Sequence, residues 1–416
     1  MIFFYWLVAV MTLDQHWVWG REILGQFTII KLLGILCLLI ALFKLVVGNA
    51  PLRRLYEKPP TRWLIALLIL FSAGATHSLP AVVSTAYQHV LSILVLWVTV
   101  VTLVGSVPSL LWTVLLAVGS AALASLYTLR QQLTVGIGDP GFRAAGIFSD
   151  SNQYALVVGL WIPIAVLWTF SKRPTWERVF CFGSLIVSLL GTLLAASRGG
   201  FVGLTAAFLY LGIRSPRLLR KVAVIGALMI PLLVWSSSSL LTRVRNPSEG
   251  DQQAQQARLI VWKAGLRMIE AHPLIGVGMH NFKSQVLRYE DESERVESVA
   301  HNSYVEIAAE MGIPTLIAFV GLLGATLTAL ERVRKRSQHL KSEQLSLTAL
   351  GLQAGLISFM FSSFFLSAWF EKMVWLMIFL SIALYRISCE LGLFRSKTSL
   401  RLKRRELATI APPETV

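Results

Sequence analysis

Stretches of roughly 20 mostly apolar residues recur along nearly the whole of this 416-residue chain, and that is the length an α-helix needs to cross the hydrocarbon core of a bilayer. They lie at about 2–13, 28–47, 63–78, 88–104, 109–129, 154–170, 179–196, 201–213, 222–241, 313–330, 346–368 and 373–387. Lipid offers the backbone no hydrogen-bonding partner, so spanning segments must be helices or a closed barrel, and continuous apolar runs lack the alternation a barrel needs. The sequence therefore predicts an all-α polytopic membrane protein of about 12 transmembrane helices, the 2–13 segment being the least secure span. A composition that is 55% hydrophobic and only 14% charged excludes an ordinary soluble domain.

The formal net charge of +16 does not describe a nucleic-acid face, because the basic residues gather in alternate short breaks between apolar runs. Such clusters mark the cytoplasmic side, as with Arg53, Arg54 and Lys58, or Arg332, Arg334 and Lys335. This places both termini in the cytoplasm of a bacterial inner-membrane protein. The expected division is membrane helices 1–9 over 1–241, a periplasmic loop with amphipathic helices over 242–312, membrane helices 10–12 over 313–390, and a basic cytoplasmic tail over 391–416. Residues 2–13 lack the basic region and small-residue cleavage site of a removed signal peptide. Cys37, Cys181 and Cys389 lie far apart, and no His or Cys pair has zinc-ligand spacing, so neither a disulfide framework nor a metal site is expected.

A loop of about 70 residues is long enough to carry structure of its own. Leu259, Trp262, Leu266 and Ile269 share one face of a helix, with Arg258 one turn before Trp262 and His272-Pro273 at its end. A glycine-rich turn follows, from Gly276 through Gly278 to His280, Asn281 and Phe282. A second helix starts near His301-Asn302 and stops at Gly312; Glu306 and Glu310 lie off the His301 face and read as structural or solvated. Arginines stand in breaks that are otherwise poor in charge: Arg143 before 146–152, Arg198 in Ser197-Arg198-Gly199-Gly200, and Arg243, Arg245 and Arg258. A charge close to the membrane is costly and points to function, and guanidinium forks match phosphate oxygens, so these residues suit the pyrophosphate of an anionic lipid.

Blander roles stand beside these. Arg258 could pack over Trp262 as a cation–π pair, Arg198 could anchor a helix end, and His301 could be a cap or surface residue. His280 is a second candidate base, while Asp150 and Asn152 suit helix capping as well as substrate contact.

The ordered set of motifs resembles the O-antigen ligase family (O-antigen ligases and polymerases). His301-Asn302, nine residues, Gly312, two residues and Thr315 carry the resemblance, with Arg258…Trp262, the 272–278 turn, Asn281-Phe282, Ser197–Gly200 and the stretch from Arg143 to Asn152. It covers the chain from about Arg143 to the last helices. The resemblance implies a GT-C-type glycosyltransferase fold that moves a glycan from undecaprenyl pyrophosphate to an acceptor, lipid A-core in the ligases, at the periplasmic face. Related members polymerise O-antigen or exopolysaccharide, or glycosylate proteins. It also implies His301 as the essential histidine and Arg198 and Arg258 as essential arginines, with Arg243 or Arg245 matching a further one, and neither cofactor nor divalent metal. A bicarbonate-type transporter is the weaker alternative, since no inverted repeat or mid-membrane charge is seen; a noncatalytic scaffold would leave the arginines without a role.

Overall fold

The computed structural model describes residues 1–13, 29–48, 56, 58–136, 142–148, 150–215, 249–291 and 296–394. The expected segment at 222–241, Arg243, Arg245 and nearly all of the basic tail lie outside the described residues. Among those described, the chain is helical throughout, without a strand. Its helices are α1 (Ile2–Val10), α2 (Ile29–Val46), α3 (Pro59–Thr76), α4 (Val83–Leu103), α5 (Val107–Thr134), α6 (Ser151–Gly159), α7 (Ile162–Thr169), α8 (Thr175–Ala195) and α9 (Arg198–Arg214). There follow α10 (Glu249–Ala271), α11 (Phe282–Gln285), α12 (Ser303–Met311), α13 (Ile313–His339), α14 (Glu343–Ser362) and α15 (Lys372–Glu390).

Seven of the described helical stretches are long and apolar enough to cross a membrane: α4, α5, α6 with α7, α8, α13, α14 and α15. The protein is a multi-pass membrane protein, although twelve such spans are not reached among the described residues. Helix α1, with its 3-10 extension to Leu13, is a shorter apolar helix, and α9 has 17 residues.

Two apolar segments depart from the simple reading. The run at 154–170 breaks between α6 and α7 because Pro163 lacks an amide hydrogen and its ring clashes with the carbonyl one turn back. The run at 346–368 stops being helical at Ser362. Beyond it the chain turns through 363–371, where its backbone groups bond to another helix, as described below.

The core centres on α15, most of whose residues are buried. Trp375 meets Phe71, Phe319 and Phe379 edge-on or tilted, and Trp369 packs on Phe71, so aromatic rings tie α3, α13 and α15 together. Arg386, buried near the far end of α15, donates to the carbonyls of Val101 and Val104 at the C-terminus of α4, where the helix dipole favours a cation.

Helix α9 lies against α14 through small residues. The Ser362 hydroxyl donates to the Gly199 carbonyl at 3.1 Å, and a β-carbon on Gly203 would run into Ser362 Oγ and the Ser358 carbonyl. Glycines four residues apart let two membrane helices approach backbone to backbone. Gly203→Ala should therefore cost about 1–3 kcal/mol of stability. Gly183→Ala on α8, where a β-carbon meets nothing within 4 Å, should leave thermal unfolding in detergent unchanged; equal melting of the two variants would contradict this packing.

Candidate functional site

Three helices begin at one place, and each start is fixed by its own sequence. Helix α8 ends in a left-handed residue, Ala196 (φ 47°). Ser197 then caps α9, its hydroxyl accepting from the Gly200 amide, which leaves Arg198 exposed as the first residue of α9. Asp150 caps α6, with Oδ1 accepting from the amide of Asn152 at 2.8 Å and from its side chain at 3.0 Å. Asn152 Oδ1 accepts from Arg143 Nη2 at 2.9 Å, while Arg143 Nε donates to the Ala195 carbonyl at 3.2 Å. Arg143 thus staples the start of α6 to the turn that presents Arg198.

The third start is α12. Asn302 is its cap, accepting from the amides of Tyr304 and Val305, and His301 precedes it in a left-handed conformation (φ 46°). Ser303 is fully buried. Its hydroxyl donates to the Leu366 carbonyl at 2.7 Å and accepts from the Ala368 amide at 2.9 Å. Its own amide bonds to the carbonyls of Ser363 and Leu366. The turn after α14 therefore seats His301, and through Ser362 it also seats the start of α9.

Helix α10 brings in Arg258. Trp262, one turn later, donates its indole N–H to the Ala300 carbonyl at 2.7 Å, so the α10 face is locked beside the residue preceding His301. The cation–π pairs among the described residues are Arg173 over Trp168 and Arg214 over Tyr210; Trp262 serves as a backbone anchor instead.

The electrostatics follow from this convergence. Burial lowers the His301 pKa below its ordinary 6.5, Arg258 lowers it further, and Asp150 opposes both. Arg258 is itself pushed down by burial, supported by Asp150 and opposed by Arg198. The imidazole is thus neutral at neutral pH, with Nδ1 buried and without a hydrogen-bond partner. Helix N-termini carry partial positive charge and unpaired amides, so three of them beside three guanidiniums make a place for a polyanion.

Residues 183–320 match the family model described as O-antigen ligase. The chain carries an O-antigen ligase domain. A search of the curated proteins finds no match. The domain holds Arg198, Arg258 and His301, whereas Arg143, Asp150 and Asn152 come from the chain before it. The match supports a ligase- or polymerase-type function in general.

Other residues singled out in the sequence have different partners in this O-antigen ligase domain. Asn281 ties the glycine loop down: its Oδ1 accepts from the Leu79 amide and its Nδ2 donates to the Val277 carbonyl. Gly276 (φ 73°) must be glycine, since a β-carbon there would collide with the Glu310 backbone. His280 (φ 61°) hydrogen-bonds His89 at 2.6 Å and stacks on Trp369, and burial followed by His89 drives its pKa down to about 4. Among the described residues, no group of three or more His, Cys, Asp or Glu side chains could hold a metal ion.

Glu306 and Glu310 are not solvated but fully buried, and each leaves Oε2 without a partner. Glu310 Oε1 accepts from the Phe282 amide at 3.0 Å, which holds the glycine loop to α12. Burial raises both carboxyls, Glu306 to about 7 with the Ser367 hydroxyl opposing, and Glu310 well above 4.5 with Glu306 adding to the rise. A carboxyl whose folded pKa lies above its unfolded value stabilises the fold most below the unfolded value, and that contribution is lost as pH climbs through the folded one. Glu306→Gln should therefore melt at higher temperature than wild type at pH 8, with the gap closing as pH falls toward 4.5. A gap that stays constant with pH would remove the titration argument.

Sequence reasoning did not single out Asp150 as a charge acting on His301, nor Ser362 at the end of α14 and Ser303 at the start of α12. The only signal for Asp150 was its position as a cap; Ser362 and Ser303 carried none, because their bonds join segments far apart in the chain.

Proposed function

We propose that the protein transfers a glycan from undecaprenyl pyrophosphate to an acceptor hydroxyl at the outer, periplasmic face of the inner membrane, with both termini in the cytoplasm and a GT-C-type helical fold. One observation carries this reading: Arg143, Arg198 and Arg258 gather at three helix starts beside a neutral imidazole. His301 takes the acceptor's hydroxyl proton as that oxygen attacks the anomeric carbon. The bond from that carbon to the pyrophosphate oxygen breaks, and the electron pair leaves with the phosphate. Direct displacement inverts the anomeric centre. The arginines and helix starts stabilise charge where it builds up on the departing diphosphate, and the partial burial of Arg143 and Arg258 strengthens that effect. No cofactor or metal enters the steps assigned to these side chains.

Lipid A-core is the acceptor favoured by the resemblance, which makes the activity that of a ligase. A second lipid-linked glycan in its place would make the same centre a polymerase for O-antigen or exopolysaccharide. A carrier reading is less supported, since the cations meet at helix ends beside a loop histidine.

Purified protein supplied with undecaprenyl-pyrophosphate glycan and either lipid A-core or a second donor molecule separates ligase from polymerase by the product formed. His301→Ala and Arg258→Ala should each lower transfer by about 10²-fold or more while the protein still accumulates in the membrane; full activity in either variant would overturn the role given to that residue. In wild type the rate should hold at neutral pH and fall only below pH 6.5, since the His301 pKa lies under that value. A loss of activity already complete at pH 7 would contradict a depressed imidazole.

A further inference from the structure

The imidazole of His301 is acted on by charges from other elements: Arg258 from α10, with Arg198 of α9 acting on Arg258 in turn, and Asp150 from the start of α6, beside which Arg143 holds Asn152. On its own helix stand Glu306 and Glu310, whose burial favours the protonated form. Among the described residues, Asp150 is the carboxylate from another element that acts on His301. A base surrounded by guanidiniums is a weak base, and the imidazolium formed when it accepts a proton is repelled by Arg258.

We propose that Asp150 is a positioning residue for transfer, a fixed carboxylate that offsets the arginines around His301 and stabilises the imidazolium formed as the acceptor loses its proton. The inference rests on the general-base role of His301 given above. The geometry that carries it is the locking of the carboxylate. Asp150 Oδ1 is held by the amide and side chain of Asn152, Asn152 is held by Arg143, and Arg143 is held by the Ala195 carbonyl beside the Arg198 turn. The same bonds that place Arg198 therefore hold this counter-charge in place. Asp150 Oδ1 makes no hydrogen bond to His301, whose Nδ1 has no partner, so the coupling is through charge. The proton stays on His301 while the new glycosidic bond forms and the diphosphate departs with the electron pair.

Capping does not by itself require a charge here. Asn and Ser cap helices as well as Asp does, so Asp150→Asn keeps the bond to the Asn152 amide and removes only the charge. With the carboxylate gone, the His301 pKa falls, because the group that raised it is lost. The acid limb of the rate profile should then move to lower pH, and the plateau in kcat should drop about tenfold with KM little changed. Asp150→Glu should recover part of the plateau.

The test uses the full chain in detergent, with wild type, Asp150→Asn, Asp150→Glu and His301→Ala compared at matched thermal stability. Rates are read against pH with undecaprenyl-pyrophosphate glycan as donor. In parallel, acylation of His301 by diethyl pyrocarbonate, which reacts with neutral imidazole, is followed against pH by peptide mass spectrometry. This second readout needs no turnover. A lower labelling midpoint in Asp150→Asn, together with the shifted acid limb, supports the proposal. An unmoved midpoint, or a loss confined to KM, overturns the role of Asp150 and leaves the general-base reading standing. Persistent transfer by His301→Ala overturns that reading instead, whatever Asp150 does.

Discussion

The hydroxyl of Ser303 holds the arrangement together. It donates to one carbonyl and accepts from one amide of the turn that follows α14, and in a fully buried position either group left alone would cost about 1–3 kcal/mol. Satisfying both fixes the first turn of α12, and with it the imidazole one residue outside the cap. The same turn begins at Ser362, which bonds to the Gly199 carbonyl. The start of α9 and the start of α12 are thus measured from one short piece of backbone, and that is why residues a hundred positions apart can meet.

Bringing several guanidiniums to helix N-termini is unfavourable for the protein alone, since dipole and side chain have the same sign. Three features make it tolerable. Arg198 stays exposed, so water screens it. Arg143 spends its donors on a carbonyl and an amide oxygen. Asp150 supplies negative charge at a helix start, where an acidic cap is also locally favourable. What remains is a cationic site whose own repulsion is relieved by a polyanionic ligand.

Much of this was legible in the chain, for identifiable reasons. Apolar runs report helices because burial in lipid acts on every residue of the run, and most of each such run within the described residues is helical. Arg258 with Trp262 and His301 with Asn302 were readable because short-range helix geometry relates each pair. The seat of His301 was not readable, because it depends on Ser303 and the 363–368 backbone, segments that sequence order keeps apart. Nor was the burial of Glu306 and Glu310: two acidic residues one turn apart look like a solvated face until Phe282 and the glycine loop cover them. The apolar character of 364–368 argued for more helix, and the demand of α12 for backbone partners decided otherwise.

Gly312 is both the C-terminal cap of α12 and the N-terminal cap of α13, with φ 83°. No linker separates the helix that begins at the imidazole from a membrane helix. Nine residues of α12, about 14 Å of helix, set the separation between the imidazole and that glycine. A single residue thus relates the reactive nitrogen to the start of a membrane helix.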